Sequence, residues 1–151
     1  MAQDPVSPFT HLLIFQLVGN DYAIPLQGVR EVLRMVAITP LPLAHEWLVG
    51  IINLRGEIIP ILDLRKRLAL TAHPYSLNTP IIVAQHKDST FGLIADGVSP
   101  ELTVAPNAIV QTDSFVDADH TIGCIARVNE RLIAILDLSR MMVGSEDVLT
   151  A

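Results

Sequence analysis

Two aspartates, Asp63 and Asp137, close matching aliphatic runs, Ile58-Ile59-Pro60-Ile61-Leu62 and Leu132-Ile133-Ala134-Ile135-Leu136. Paired carboxylates at equivalent places in a two-fold protein are the machinery of an aspartyl hydrolase, where two carboxyls share one proton. That nucleus needs a hydroxyl residue and a glycine after each aspartate. Here Leu64-Arg65 and Leu138-Ser139 follow instead, while Asp96-Gly97 has the glycine without the hydroxyl and Gln27 as its counterpart. A pseudo-symmetric aspartyl hydrolase is the remote alternative. The plainer role for Asp63 is to cap a short helix opening at Leu64-Arg65-Lys66-Arg67-Leu68.

The other reactive residue types form no site. His11, His45, His73, His86 and His120 lack metal-ligand spacing, and His120 beside Asp117 and Asp119 reads as a polar loop. Cys124, between Gly123 and Ile125, reads as a buried, inert thiol. G-x-S-x-G, P-loop and dinucleotide-binding motifs are absent. These residues lead us to expect a non-enzyme with no cofactor and no metal.

Charge and hydropathy narrow the partners. A net charge of −6 argues against nucleic acid. Arg65-Lys66-Arg67 reads as a solvated helix face. With 50% hydrophobic and 17% charged residues, the chain has enough apolar side chains for a core and some to spare for partners. No apolar run approaches the ~18 residues of a membrane helix. The first ten residues carry no signal-peptide pattern, and one cysteine fits a reducing compartment. The expected localisation is cytoplasmic, without membrane insertion.

These residues must be positioned by short strands. His11 to Leu17, a turn at Gly19-Asn20-Asp21, and Tyr22 to Ile24 read as a hairpin. Pro25 to Leu33 reads as a short helical turn or a bent strand, with Gly28 barring a long helix. Pro40 and Pro42 then interrupt the chain before a second hairpin, Gly50 to Leu64, turning at Arg55-Gly56.

The second half repeats the first. Ile81 to Gln85, a polar turn at Lys87 to Ser89, and Phe91 to Ile94 match Leu12 to Gln16, the first turn, and Tyr22 to Pro25. Gly97-Val98 matches Gly28-Val29 at the same offset of 69, and Leu132 to Leu138 matches Ile58 to Leu64 at an offset of 74. About five extra residues thus fall between the matched blocks, at Pro106 to Ile109 or Asp117 to His120. Such self-similarity means two copies of one supersecondary unit. With turns every 8–12 residues, each copy reads as a small barrel.

The fold expected is all-β with a few short helices: two pseudo-symmetric five-stranded β-barrel subdomains, intertwined and packed together. Residues 1–10 read as a flexible arm. A single domain over 11–151 then divides into subdomains near 11–75 and 76–145. A groove is expected between them. At the place of Arg55-Gly56 the second copy has Asn129-Glu130, so the arginine tip breaks the repeat and becomes the leading functional residue.

The stretch Gly50-Ile51-Ile52-Asn53-Leu54-Arg55-Gly56, followed by Pro60-Ile61-Leu62-Asp63-Leu64-Arg65, resembles the signature of CheW-like domains, the bacterial chemotaxis coupling proteins. The likeness extends to Val29-Arg30-Glu31-Val32, to Pro40 and Pro42 ahead of Trp47, and to Ile94 through Ser99. It continues through Ile122-Gly123 and Leu132 to Leu138, covering about Leu12 to Met142. Ala134 replaces a proline in the second copy.

The resemblance implies two pseudo-symmetric five-stranded barrels and a non-catalytic adapter. It implies coupling of the cytoplasmic tip of methyl-accepting chemoreceptors to the regulatory domain of a CheA-type histidine kinase. Alternation with other CheW-like domains in rings, and recruitment to membrane-associated receptor arrays, are implied as well. It assigns receptor binding to Arg55, Glu31, Val29, Asn53 and Gly56. A coupler serving type IV pili or another non-flagellar chemosensory system is the alternative of the same kind.

Overall fold

The computed structural model describes residues 10–42, 46–71, 74–111 and 121–141. The expected arm lies outside them except for Thr10, as do His45, His73 and the Asp117–Asp119–His120 cluster.

Among the described residues, twelve short strands carry the fold. They are β1 (Thr10–Leu17), β2 (Asn20–Pro25), β3 (Val29–Arg34), β4 (Leu48–Leu54), β5 (Glu57–Asp63), β6 (Pro80–His86), β7 (Ser89–Ile94), β8 (Gly97–Val98), β9 (Leu102–Val104), β10 (Ile109–Gln111), β11 (Ile122–Val128) and β12 (Arg131–Leu136). Two one-turn helices follow β5 and β12: α1 (Leu64–Arg67) and α2 (Leu138–Met141). A 3-10 turn at Leu26–Gly28 leads directly into β3, so both readings of that segment hold in succession. No helix among the described residues is long and apolar enough to cross a membrane.

The strands form two sheets, as an all-β pattern requires. One runs β3-β6-β7-β5-β4. In the other, β10-β11-β12-β2-β1 is bordered by β8 and β9, which both pair with β1. The second sheet thus has seven strands rather than five, because its edge partner is broken into the two short pieces β8 and β9 and because β10 adds a strand beyond β11. Neither sheet closes into a barrel by a continuous ladder. In the five-stranded sheet the gap between β3 and β4 is spanned by one bridge, with Thr39 and Ile51 exchanging two 2.9 Å hydrogen bonds. Gly50 permits that approach, since a Cβ there would lie 2.2 Å from the Thr39 carbonyl oxygen.

Each repeat lends a hairpin to the other's sheet. β1-β2 joins β12 in parallel, and β6-β7 joins β5 in parallel. The five-stranded sheet is consequently one continuous stretch, 29–94, flanked in sequence by the strands of the other.

Alternation sorts the core into three clusters, because successive strand residues point to opposite faces. On β6, Ile81 and Val83 form a cluster on one face of the five-stranded sheet with Ile52, Ile59, Ile61 and Ile94. Ile82 and Ala84 point the other way, into a central cluster shared with Phe15, Leu17, Ile24, Phe91 and Leu93. On β1, Leu12 and Ile14 fill the seven-stranded sheet with Ala23, Ile133 and Ile135, while Leu13, Phe15 and Leu17 face the centre. Both faces of these strands are therefore dry, and their unbroken aliphatic runs follow from that.

Two-residue turns join the hairpins, at Val18-Gly19, Arg55-Gly56, Lys87-Asp88 and Asn129-Glu130. The first and third are shorter than the turns expected at Gly19 to Asp21 and Lys87 to Ser89. Arg55 and Gly56 take φ of 52° and 88°, and Asn129 and Glu130 take 51° and 68°. Positive φ at both central residues matches the twist of the strands they join. Backbone at the Arg55 tip therefore obeys the repeat; only its side chains break it.

Candidate functional site

Four of the five residues named for binding meet at one end of the five-stranded sheet. Arg55 sits on the β4-β5 turn with its side chain 63% exposed, and its Nη2 donates to Glu31 Oε2 on β3. Asn53 Oδ1 accepts the Gly56 amide at 2.9 Å, which ties the turn to the end of its own strand. Beside them Arg30 Nη1 pairs with Glu57 Oε1 at 3.0 Å. These two ion pairs span β3 and the β4-β5 hairpin, the same gap that the Thr39–Ile51 bridge crosses. Exposed pairs of this kind contribute about 0–1 kcal/mol each, so what they chiefly supply is orientation.

Val29 does not join this group. A bulge between Val29 and Glu31 shifts the register, so that Val29 lies opposite Ala84 and Glu31 opposite Val83. Ala84 faces the central cluster and Val83 the opposite face. Val29 therefore packs inward between the sheets, while Glu31 reaches the Arg55 tip. Its inward packing follows from Gly28-Val29 obeying the repeat.

The space between the sheets is occupied by the central apolar cluster rather than by a groove carrying Arg55 at its rim. Two depressions open among the described residues, and the smaller lies between the sheets, with Gln85 and His86 of β6 on one side and Pro25 and Leu136 on the other. One, of about 620 Å³, is lined by Met35, Val36, Ile38, Leu41, Tyr75 and their neighbours; the other, of about 300 Å³, lies between Gly28, His86 and Leu138. None of the five named residues lines either. What flanks the ion pairs in sequence is apolar and exposed: Val32 at 43% and Ile58 at 55%. Neither was singled out from sequence. The available signal was Val32 set between Arg30 and Arg34 on one strand, an aliphatic residue at positions alternating with half-buried ones.

The basic run after β5 departs most from its reading as a solvated face. Only Lys66 is exposed. Arg65 is 1% exposed and holds Asp63 through Nη2–Oδ2 at 3.1 Å and Nε–Oδ1 at 3.1 Å, with Asp96 Oδ1 at 3.3 Å from Nη1. Tyr75 donates its hydroxyl to Asp63 Oδ2 at 2.7 Å, and its ring lies 5.2 Å from the Arg65 guanidinium. Burial alone would raise the Asp63 pKa, but the bonds from Arg65 and Tyr75 outweigh it and hold the carboxyl below its ordinary range. Burial and the Asp63 contact push the Tyr75 hydroxyl strongly upward, so it remains a donor.

These contacts also settle what the two aspartates do. Asp63 caps α1 by accepting the Arg65 amide at 3.0 Å. Asp137 accepts the Ser139 amide at 3.0 Å and its hydroxyl at 2.6 Å. No hydrogen bond joins the two carboxyls among the described residues, and each is committed at its own helix. Cys124 is half-buried rather than buried, and burial raises its thiol pKa, away from the thiolate a nucleophile needs. No group of three metal-ligating side chains occurs among the described residues.

Known proteins resemble this chain in sequence and in fold. The family model described as "CheW-like domain" matches residues 11–146. The chain is 33% identical to "Chemotaxis protein CheW" of Rhizobium meliloti, covering 89% of this chain and 88% of that one. It is 31% identical to the protein of the same name from Bacillus subtilis, over 87% and 85%. A crystal structure of the scaffolding protein TtCheW from Thermoanaerobacter tengcongensis superposes with a TM-score of 0.79 at 31% identity, covering 85% of this chain and 88% of that one. The chain belongs to the CheW-like domain family.

Proposed function

We propose that the protein is a non-catalytic chemotaxis coupling adapter that joins the cytoplasmic tip of chemoreceptors to the regulatory domain of a CheA-type histidine kinase. Arg55 makes the receptor contact. The observation that carries this is the state of that guanidinium. A two-residue turn fixes its backbone, Glu31 takes one Nη2 donor, and the side chain stays 63% exposed. A guanidinium has five N–H donors, so one ion pair leaves a full edge for a carboxylate on the partner.

The apolar part of the contact falls on Val32 and Ile58, against which the apolar side of a receptor helix packs. Glu31 aims Arg55, and Asn53 and Gly56 hold the turn. Val29 supports the surface from beneath by fixing β3 on the central cluster. Such a surface does its work by holding partners, and the two aspartates capping helices fit that role. The adapter acts in the cytoplasm, recruited to membrane-associated receptor arrays, where it alternates with kinase domains of like fold.

The test is a pull-down of the purified protein with receptor cytoplasmic fragments and the CheA-like kinase of its own organism. Retention of both in one complex is the expected result. Failure to retain either overturns the reading, and the receptor retained names the pathway.

A further inference from the structure

Arg67 is a cation almost wholly withdrawn from water, at 8% exposed, and none of the docking residues touches it in the contacts described above. Its Nη2 donates to the Arg140 carbonyl at 2.9 Å, its Nη1 to the Met141 carbonyl at 3.4 Å, and its Nε to Thr121 Oγ1 at 3.4 Å. The guanidinium carbon lies 4.3 Å from the centroid of the Trp47 ring. Arg67 and Trp47 adjoin β5 and β4 of the five-stranded sheet. Thr121 precedes β11, and Arg140 and Met141 end α2 behind β12, on the seven-stranded side. One side chain therefore joins both sheets by directional bonds.

A second tie runs from the same short helix. Arg65 Nη1 meets Asp96 Oδ1 at 3.3 Å, and Asp96 Oδ2 accepts the amide of Val18, on the β1-β2 turn, at 2.6 Å. The sequence Arg-Lys-Arg is thus buried, exposed, buried: the two arginines pin the sheets and Lys66 points to water. The central apolar cluster draws the sheets together without setting a direction, since burial of apolar area is non-directional. A planar fork with fixed donors does set one.

We propose that Arg67 is the positioning residue that fixes the angle between the two sheets and the placement of α2. It makes the molecule one rigid body rather than two sheets sliding on a greasy contact. The tie stands on contacts separate from the Arg55 surface; only its use, passing load from a partner on one sheet to a partner on the other, rests on the coupling reading.

The test compares the full chain with Arg67→Met and Arg67→Lys by residual dipolar couplings and amide hydrogen exchange. In the wild type, couplings from both sheets fit one alignment frame. In Arg67→Met the frames of the two sheets diverge, and the Arg140 amide, bonded to the Asp137 carbonyl at 2.9 Å, exchanges about tenfold faster as α2 loosens. Arg67→Lys keeps charge and stem but cannot span three acceptors, so it shows the same divergence, and it decides alone if Arg67→Met does not fold. A single wild-type frame in Arg67→Lys, or unchanged Arg140 exchange in the folded variants, overturns the proposal. Loss or retention of receptor binding in Arg55 variants leaves this test untouched.

Discussion

Replacing Arg65 by Met tests the buried network in the most quantitative way. The substitution keeps the aliphatic volume and removes the charge that faces Asp63, which is itself fully buried. Asp63 then retains the Tyr75 hydroxyl and loses the bonds from Nε and Nη2 at 3.1 Å each. Breaking one partner of a buried pair costs about 3–5 kcal/mol, because the surviving charge stays desolvated. That is a large share of the roughly 5–15 kcal/mol that holds a domain folded. Asp63→Asn alone falls nearer 3 kcal/mol by the same rule, since Asp96 still faces the cation. Removing both charges together leaves no charge buried at position 63, and Asp96 is partly exposed, so the double variant costs about as much as either single one rather than their sum.

Urea unfolding followed at Trp47, the one tryptophan of the chain, gives all four stabilities of the cycle. Additive losses, or a cost below about 1 kcal/mol for Arg65→Met, refute the reasoning, because exposed pairs behave that way. Acid supplies a second arm. The folded Asp63 pKa lies below the ordinary carboxylate value of about 3.9. Its contribution is therefore complete above the unfolded value and is lost as pH falls through the folded one. Asp63→Asn flattens that acid loss in the wild-type background.

Other positions give smaller tests. Gly50→Ala places a Cβ 2.2 Å from the Thr39 carbonyl oxygen, so the seam bridge parts at a cost of about 1–3 kcal/mol, read as a lower urea midpoint with unchanged slope. Glu130→Gly relieves a side chain held at φ 68° and creates the Asn-Gly pair favoured in such turns, so thermal unfolding shifts upward by the equivalent of about 1 kcal/mol. Arg55→Ala removes only an exposed pair and changes stability by less than about 1 kcal/mol, measured by the same unfolding curve; a larger loss means the tip is scaffold.

The sequence made the fold class legible because the signals were local. Alternating or continuous aliphatic runs bounded by Gly, Asn and Pro mark strands, and the matched blocks at Leu12 and Ile81 mark the repeat. The exchange of hairpins was not legible, since β12 meets β2 more than a hundred residues away and no local pattern records that pairing. Arg65 and Arg67 show the same limit. Three consecutive basic residues look solvated until Asp96 and Tyr75, or Thr121 and α2, arrive from loops and a helix elsewhere in the chain to cover them.

At the candidate site, the Arg55 tip was readable from its Asn-x-x-Gly turn and from its break with the repeat. The partner Glu31 lies 24 residues away on another strand. Val29 and Glu31 look alike in sequence spacing, and one bulged residue, Arg30, sends them to different faces. Such a bulge leaves no mark of its own in the Val-Arg-Glu-Val order.

The most direct test of the coupling role is a titration of the receptor's cytoplasmic fragment into the wild type and Arg55→Glu, with unfolding curves to show that both are folded. Charge reversal at Arg55 sets two carboxylates against each other beside Glu31 and removes the exposed guanidinium. The expected result is at least about a tenfold loss of receptor affinity, the scale of one good charged contact, at nearly unchanged stability. Equal affinity in the two proteins contradicts the placement of the receptor contact at this tip.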